Sequence, residues 1–420
     1  MAGRVSALDL AAVSIGTGIW LPLFLLSSGI LLATTPLIGE KIGQDRLSDV
    51  PMLTQQSLWA GLGIGVIGAM LVTASPALFG LMGVPADIAP IASDYVQAVA
   101  WGFPAIAVYA VLRCYCEALS RPEPVTAISI IGLLADIPLN YVFIYGKLGM
   151  PAMGGAGCGV ASAIVMWLNC LLLIGYLFFS QHRIFRQTRF FGRFAPPSLP
   201  HIKTLLALGL PIGVAIFFEA SLFSLASLVI SPLGEIAVAS HQVALAGTAQ
   251  IFMFPVSLAM ALTIMISNRF GEKNWAQLIA VQRTGLAWAV IIALISMVLT
   301  AIFRQELAAA FTDNIEVMQK AMLLLLFAIA YQLVDGWQVT IAGILRGMQD
   351  TTVPMLLTLF CYWGVALPLG TYLVRYTDTG AKGFWLALVT GLTLAAILLT
   401  ARLIYFERKR GIHPSNPHLS

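Results

Sequence analysis

Three carboxylates, Asp136, Glu219 and Asp335, stand inside long apolar runs, whereas nearly all the other acidic residues fall in loops or near helix ends. Placing a carboxylate at the centre of a bilayer costs about 2.5–3.5 kcal/mol on insertion scales, so such residues face a polar interior and mark a path for ions or substrates. Tyr331, Asp335 and Gln338 follow the spacing i, i+4, i+7 and share one face of a helix. A phenol and an amide beside a carboxylate can donate to it or lend oxygen to a cation. Glu219 and Phe223 likewise share a face, with Phe217 and Phe218 adjacent. That grouping suits a lipophilic cation held by charge and by cation–π attraction; the phenylalanines taken alone also suit plain lipid or core packing. His241 and Gln242 either join a polar cavity or hydrogen-bond another helix, and both readings stay open.

Burial disfavours a charged carboxylate and a nearby cation favours it. A Glu and an Asp on different helices can therefore exchange a proton or Na⁺ for a cationic substrate. Binding one ligand neutralises the site and weakens the other, which is the coupling an antiporter needs. Sodium requires several oxygens and a proton only one acceptor, and these residues suit either.

The elements that must position these groups are membrane helices. The 420 residues are 59% apolar and only 10% charged, with mean hydropathy +0.90, against about 25% charged residues in soluble domains. Runs near 11–38, 57–82, 93–117, 125–146, 158–180, 204–230, 238–267, 283–303, 317–344, 352–374 and 383–405 each reach the roughly 20 residues that a crossing helix needs. They lack the alternation of barrel strands, so helices are the spanning element. Pro22, Pro104, Pro138, Pro255 and Pro368 inside them are expected as kinks. The net charge of +4 is too small for a nucleic-acid binder. The five cysteines make no CxxC and suit buried, inert thiols, and no cleavable leader is legible. No Ser-His-Asp arrangement or HExxH appears, which argues against a membrane protease. Gly63–Gly68 matches GxGxxG inside an apolar run without a βαβ context, and reads as close helix packing. The stretch 183–194 interleaves Arg183, Arg186, Arg189 and Arg193 with four phenylalanines, and reads as a basic anchor at the membrane surface.

Seventeen of the 23 Lys and Arg residues fall on one side when loops alternate, a side that includes 181–203 and the C-terminal tail; the other side, with Arg4 among its residues, holds six. The richer side is expected to be cytoplasmic. The halves also match. Gly39-Glu40-Lys41 recurs as Gly271-Glu272-Lys273, Leu112-Arg113 as Leu345-Arg346, Pro138 as Pro368, and Gly155-Ala156 as Gly380-Ala381. Four matches in order imply a duplicated, parallel bundle with the substrate path between its halves. The second half supplies six helices and the first five, so the chain reads as lacking the repeat's first helix. The expected organisation is an N-terminal lobe over 1–180, a basic cytoplasmic linker over 181–203, a C-terminal lobe over 204–410 and a cytoplasmic tail over 411–420.

These residues resemble the multidrug and toxic compound extrusion (MATE) transporters, most closely the NorM-type bacterial branch. The resemblance runs over nearly the whole chain, through Ala7–Trp20, Leu112–Pro124, Pro138–Gly146 with Gly155–Gly159, Phe217–Phe223, His241–Phe254 and Tyr331–Asp350. It implies an all-α polytopic fold, about eleven of twelve helices in two lobes forming a V-shaped cavity. It implies a secondary transporter of the bacterial inner membrane, exchanging external Na⁺ or H⁺ for amphipathic, often cationic organic compounds as a monomer without a cofactor or nucleic acid. By matching position, Glu219, Tyr331 and Asp335 resemble the family's second-lobe cation site, where Na⁺ would bind. Asp136 and Asn140 resemble the first-lobe site, although the family's first-helix Asp has no counterpart and many NorM-type members carry an amide at Asp136. Competing readings are a flippase for lipid-linked saccharides, which would need a cationic cavity, and an inactive shortened homologue.

Overall fold

The computed structural model describes residues 6–80, 83–192 and 194–412. Arg4, Arg193 and the tail beyond residue 412 lie outside the described residues. Fifteen α-helices occur in chain order, with no strand among the described residues. They are α1 (Ala7–Leu31), α2 (Thr34–Gly43), α3 (Val50–Ala74), α4 (Ala89–Ala100), α5 (Phe103–Ala118), α6 (Glu123–Tyr145), α7 (Gly155–Phe179) and α8 (Arg183–Gln187). The second half adds α9 (Leu199–Ile230), α10 (Glu235–Gly271), α11 (Trp275–Ala309), α12 (Ile315–Gly347), α13 (Thr352–Leu359), α14 (Leu367–Tyr376) and α15 (Ala381–Lys409). Between α13 and α14 the backbone widens into a π-helical segment, Phe360–Ala366.

Among the described residues, ten stretches are long and apolar enough to cross a membrane, and the pair α4–α5, bent by 41°, makes an eleventh. They coincide with the eleven expected runs and extend most of them at both ends. The bend falls at Trp101–Gly102. Pro104 therefore stands in the first turn of α5, where its missing N–H costs nothing. Pro368 likewise opens α14 directly after the π segment. Pro22, Pro138 and Pro255 lie within helices as expected.

The chain divides into two compact units, Met1–Gly213 and Val214–Ser420. In the first, α3 packs on α5, and α7 on α4 and α6. Lipid removes the hydrophobic drive for helix association, so close approach of backbones carries the packing. Gly65 and Gly68 of the GxGxxG stretch do this work: a Cβ at Gly65 would come within 2.8 Å of the Pro104 Cα, and one at Gly68 within 2.5 Å of the Phe103 ring. Ser6 caps α1 by accepting from the Asp9 N–H, and the Asp9 carboxylate accepts from the Gly155 N–H that opens α7. Within 181–203, expected as a linker, Phe185 and Phe190 pack back on this unit, buried in the cluster around Tyr115, and α9 already begins at Leu199.

In the second unit α12 packs against α10, α11 and α15. Its centre is a core of Tyr331, Tyr362, Phe384 and Trp385. Outward positions such as Ile67, Met70, Leu134, Val298 and Ile302 are exposed and apolar, as a lipid-facing surface requires.

Candidate functional site

Helix α12 sets the site. Its i, i+4, i+7 face carries Tyr331, Asp335 and Gln338, and all three are buried. Neighbours on three sides shield that face from lipid, so a carboxylate there escapes the worst of the hydrocarbon. Helix α9 brings Glu219, half-buried, into Coulombic range of Asp335. Tyr331 feels both acids. Arg346, farther along α12, is the cation that acts on Glu219.

A cavity of about 10 Å³, room for one water molecule, lies beside Asp335 among α10, α11 and α12. Its polar walls are Thr248, Ser296, Tyr331, Gln332 and Asp335. The Thr248 hydroxyl, on the same cavity wall as Tyr331, donates to the Ala244 carbonyl of its own helix at 3.0 Å. Pro255 of α10 supplies no N–H, so the helical partner of the Ile251 carbonyl is lost; both residues line the same cavity. The Gln332 amide, on the cavity wall, donates to the Thr300 hydroxyl at 2.9 Å, joining α12 to α11. No group of three His, Cys, Asp or Glu that could hold a metal occurs among the described residues. A sodium ion here would draw on one or two carboxylates and neutral oxygens instead, a donor set that suits a hard cation.

The remaining expected residues separate. Phe223 packs against the core that contains Tyr331, while Phe218 meets Trp363 edge-on at 5.2 Å. Gln338 accepts at 3.0 Å from the Tyr362 hydroxyl of the π segment. His241 is fully buried, and its Nδ1 accepts from the Trp385 indole at 3.1 Å. Gln242 turns the other way, exposed, and donates to Ser227 of α9 at 2.8 Å. Asp136 and Asn140 belong to α6 in the first unit, where the Asn140 amide donates to the Asp136 carbonyl at 2.9 Å.

Four residues of this neighbourhood escaped sequence reasoning: Thr248, Ser296, Gln332 and Tyr362. Gln332 carried a signal, being an uncharged amide inside an apolar run next to Tyr331. Tyr362 carried none, because π geometry sets which face it occupies.

The MatE family model matches residues 1–142 and 211–372, more than half of the chain. The "Probable multidrug resistance protein NorM" of Acinetobacter baylyi is 46% identical over 403 residues, spanning 96% of this chain and 89% of that protein. The multidrug resistance protein PmpM of Pseudomonas aeruginosa is 42% identical over 416 residues, spanning 97% and 86%. A MATE protein crystallised in complex with MaL6 superposes with TM-score 0.89 at 21% identity, covering 97% of this chain and 91% of that one; this likeness is one of fold. With a buried acidic face on α12, eleven spans and these matches, the chain belongs to the MatE family of multi-pass membrane transporters, and is not an enzyme.

Proposed function

We propose that this protein is a secondary active multidrug efflux antiporter that exchanges Na⁺ or H⁺ for amphipathic, often cationic organic compounds across the bacterial inner membrane, with its C-terminus in the cytoplasm. The observation that carries the reading is Asp335, buried on α12 beside a water-sized cavity and in Coulombic range of Glu219. An unpaired carboxylate withdrawn from water is costly, so the pair holds some positive species at every stage. Tyr331, Thr248, Ser296 and Gln332 supply neutral oxygens for Na⁺, and the cavity supplies a water for proton transfer. An organic cation that engages Glu219 lowers the site's demand for the coupling ion. The ion, once bound, lowers its demand for the drug. The relatives from Acinetobacter baylyi and Pseudomonas aeruginosa, both named as multidrug resistance proteins, support drugs as the cargo. Asp136 and Asn140 are a secondary site in the first unit.

Sealed vesicles containing the protein test this. Ethidium movement is followed under imposed Na⁺ and pH gradients separately. Asp335→Asn and Glu219→Gln each abolish gradient-driven export while membrane insertion is unchanged. Wild-type rates in either variant would overturn the assignment.

A further inference from the structure

The segment leaving α7 is built as a surface rather than as a tether. Helix α3 holds its backbone with three side chains. The Gln55 amide donates to the Phe190 carbonyl at 2.7 Å, and Gln55 Oε1 accepts from the Ala195 N–H at 3.1 Å. Gln56 donates to the Pro196 carbonyl at 3.0 Å and accepts from the Ser198 N–H at 2.6 Å. The Trp59 indole donates to the Ala195 carbonyl at 3.0 Å. Underneath, Phe185 and Phe190 are buried and Thr188 bonds the Tyr115 hydroxyl at 2.7 Å.

With those side chains turned inward, Arg183, Arg186 and Arg189 are all exposed. None of the three forms an ion pair among the described residues, whereas Arg46, Arg113 and Arg121 each meet a nearby acid. The sequence contains no Asp or Glu between Asp136 and Glu219 to balance them. Arg189 lies over the Phe178 ring at 5.3 Å, and Phe178, Phe179 and Phe194 are themselves exposed. The segment starts where one crossing helix ends, at Phe179, and stops where the next begins, at Leu199. It therefore sits at the membrane boundary, with aromatic rings at the level where acyl chains meet headgroups.

We propose that Arg183, Arg186 and Arg189 form a docking surface for the phosphate headgroups of anionic phospholipids. Guanidinium groups bind phosphate through paired, charge-assisted hydrogen bonds. Because α3 and Tyr115 fix the backbone, little conformational freedom is lost on binding. The adjacent rings favour a phosphate that brings acyl chains with it over a free anion or a nucleic acid.

The test uses the full chain purified in a non-ionic detergent. Its thermal midpoint is titrated with dioleoylphosphatidylglycerol, with dioleoylphosphatidylcholine and with sodium phosphate. Phosphatidylglycerol is expected to stabilise the protein saturably, and the other two are not. A basic residue near an anionic surface is worth about fivefold in affinity, so the triple change Arg183→Gln, Arg186→Gln, Arg189→Gln weakens half-saturation about 100-fold. The corresponding triple Arg→Lys change keeps it within about tenfold. Should the triple Gln variant fail to fold, the single variants Arg183→Gln and Arg186→Gln each shift half-saturation by about fivefold. An unchanged half-saturation in the Gln variants would overturn the proposal. So would equal stabilisation by phosphatidylcholine, or by inorganic phosphate, which would mark a free-anion site.

Discussion

The indole N–H of Trp385 donates to Nδ1 of His241 at 3.1 Å, and the same indole packs against the Tyr331 ring with centroids 6.0 Å apart. Accepting at Nδ1 assigns the imidazole proton to Nε2. His241 is thus linked to Tyr331 of the proposed cation site only through Trp385. His241→Phe leaves a buried indole N–H unpaired, a cost of about 1–3 kcal/mol. His241→Gln, which retains an acceptor, keeps most of the stability. Thermal midpoints in detergent check the order: wild type, then Gln, then Phe. Equal midpoints for Gln and Phe would show that the hydrogen bond contributes nothing.

Tyr362 and Gln338 make a second such pair, at 3.0 Å, between the π segment and the acidic face of α12. Tyr362→Phe strands the buried Gln338 amide oxygen, at about 1–3 kcal/mol. Removing both partners, with Gln338→Leu added, leaves no orphan. The double variant is therefore expected to be at least as stable as Tyr362→Phe alone. A strictly additive loss in the double-mutant cycle would contradict the pairing.

Close packing of α10 on α12 holds Asp335 in register. A Cβ at Gly343 would come within 2.6 Å of the Ala259 carbonyl oxygen, and the Thr263 hydroxyl donates to the Gly343 carbonyl at 2.9 Å. Gly343→Val forces the two helices apart and costs about 1–3 kcal/mol or more. Folded yield and export fall together in this variant. Gly63→Val, at a position with open space around its Cα, leaves both unchanged. Yield and transport rate measured on the two valine variants provide the comparison.

Much of this architecture was legible because crossing helices announce themselves by length and apolarity alone. The i, i+4, i+7 spacing likewise put Tyr331, Asp335 and Gln338 on a common face, and packing on three sides buries that face. Illegible features are those whose signal is local geometry. The bend at Trp101–Gly102 and the π segment interrupt runs that stay apolar throughout, so hydropathy passes over both. Thr248 hid for another reason. A membrane threonine satisfies its hydroxyl on its own helix, as Thr248 does on the Ala244 carbonyl at 3.0 Å, and so do Ser27 and Thr263. Such residues look alike until neighbouring helices show which one faces an acid. Residues 181–203 read as a linker because their charge pattern was visible, while the capture of their backbone by Gln55 and Gln56 of α3 was not.

Competition between a labelled organic cation and the coupling ion tests the central claim most directly. Equilibrium binding of radiolabelled tetraphenylphosphonium to the detergent-purified protein is measured while Na⁺ is raised at fixed pH, then while pH is lowered without Na⁺. Wild-type protein is expected to release the label in at least one of the two titrations. Asp335→Asn is expected to retain its label across that titration, since the group that takes the ion is gone. Displacement curves that superimpose for wild type and Asp335→Asn in both titrations would contradict the account.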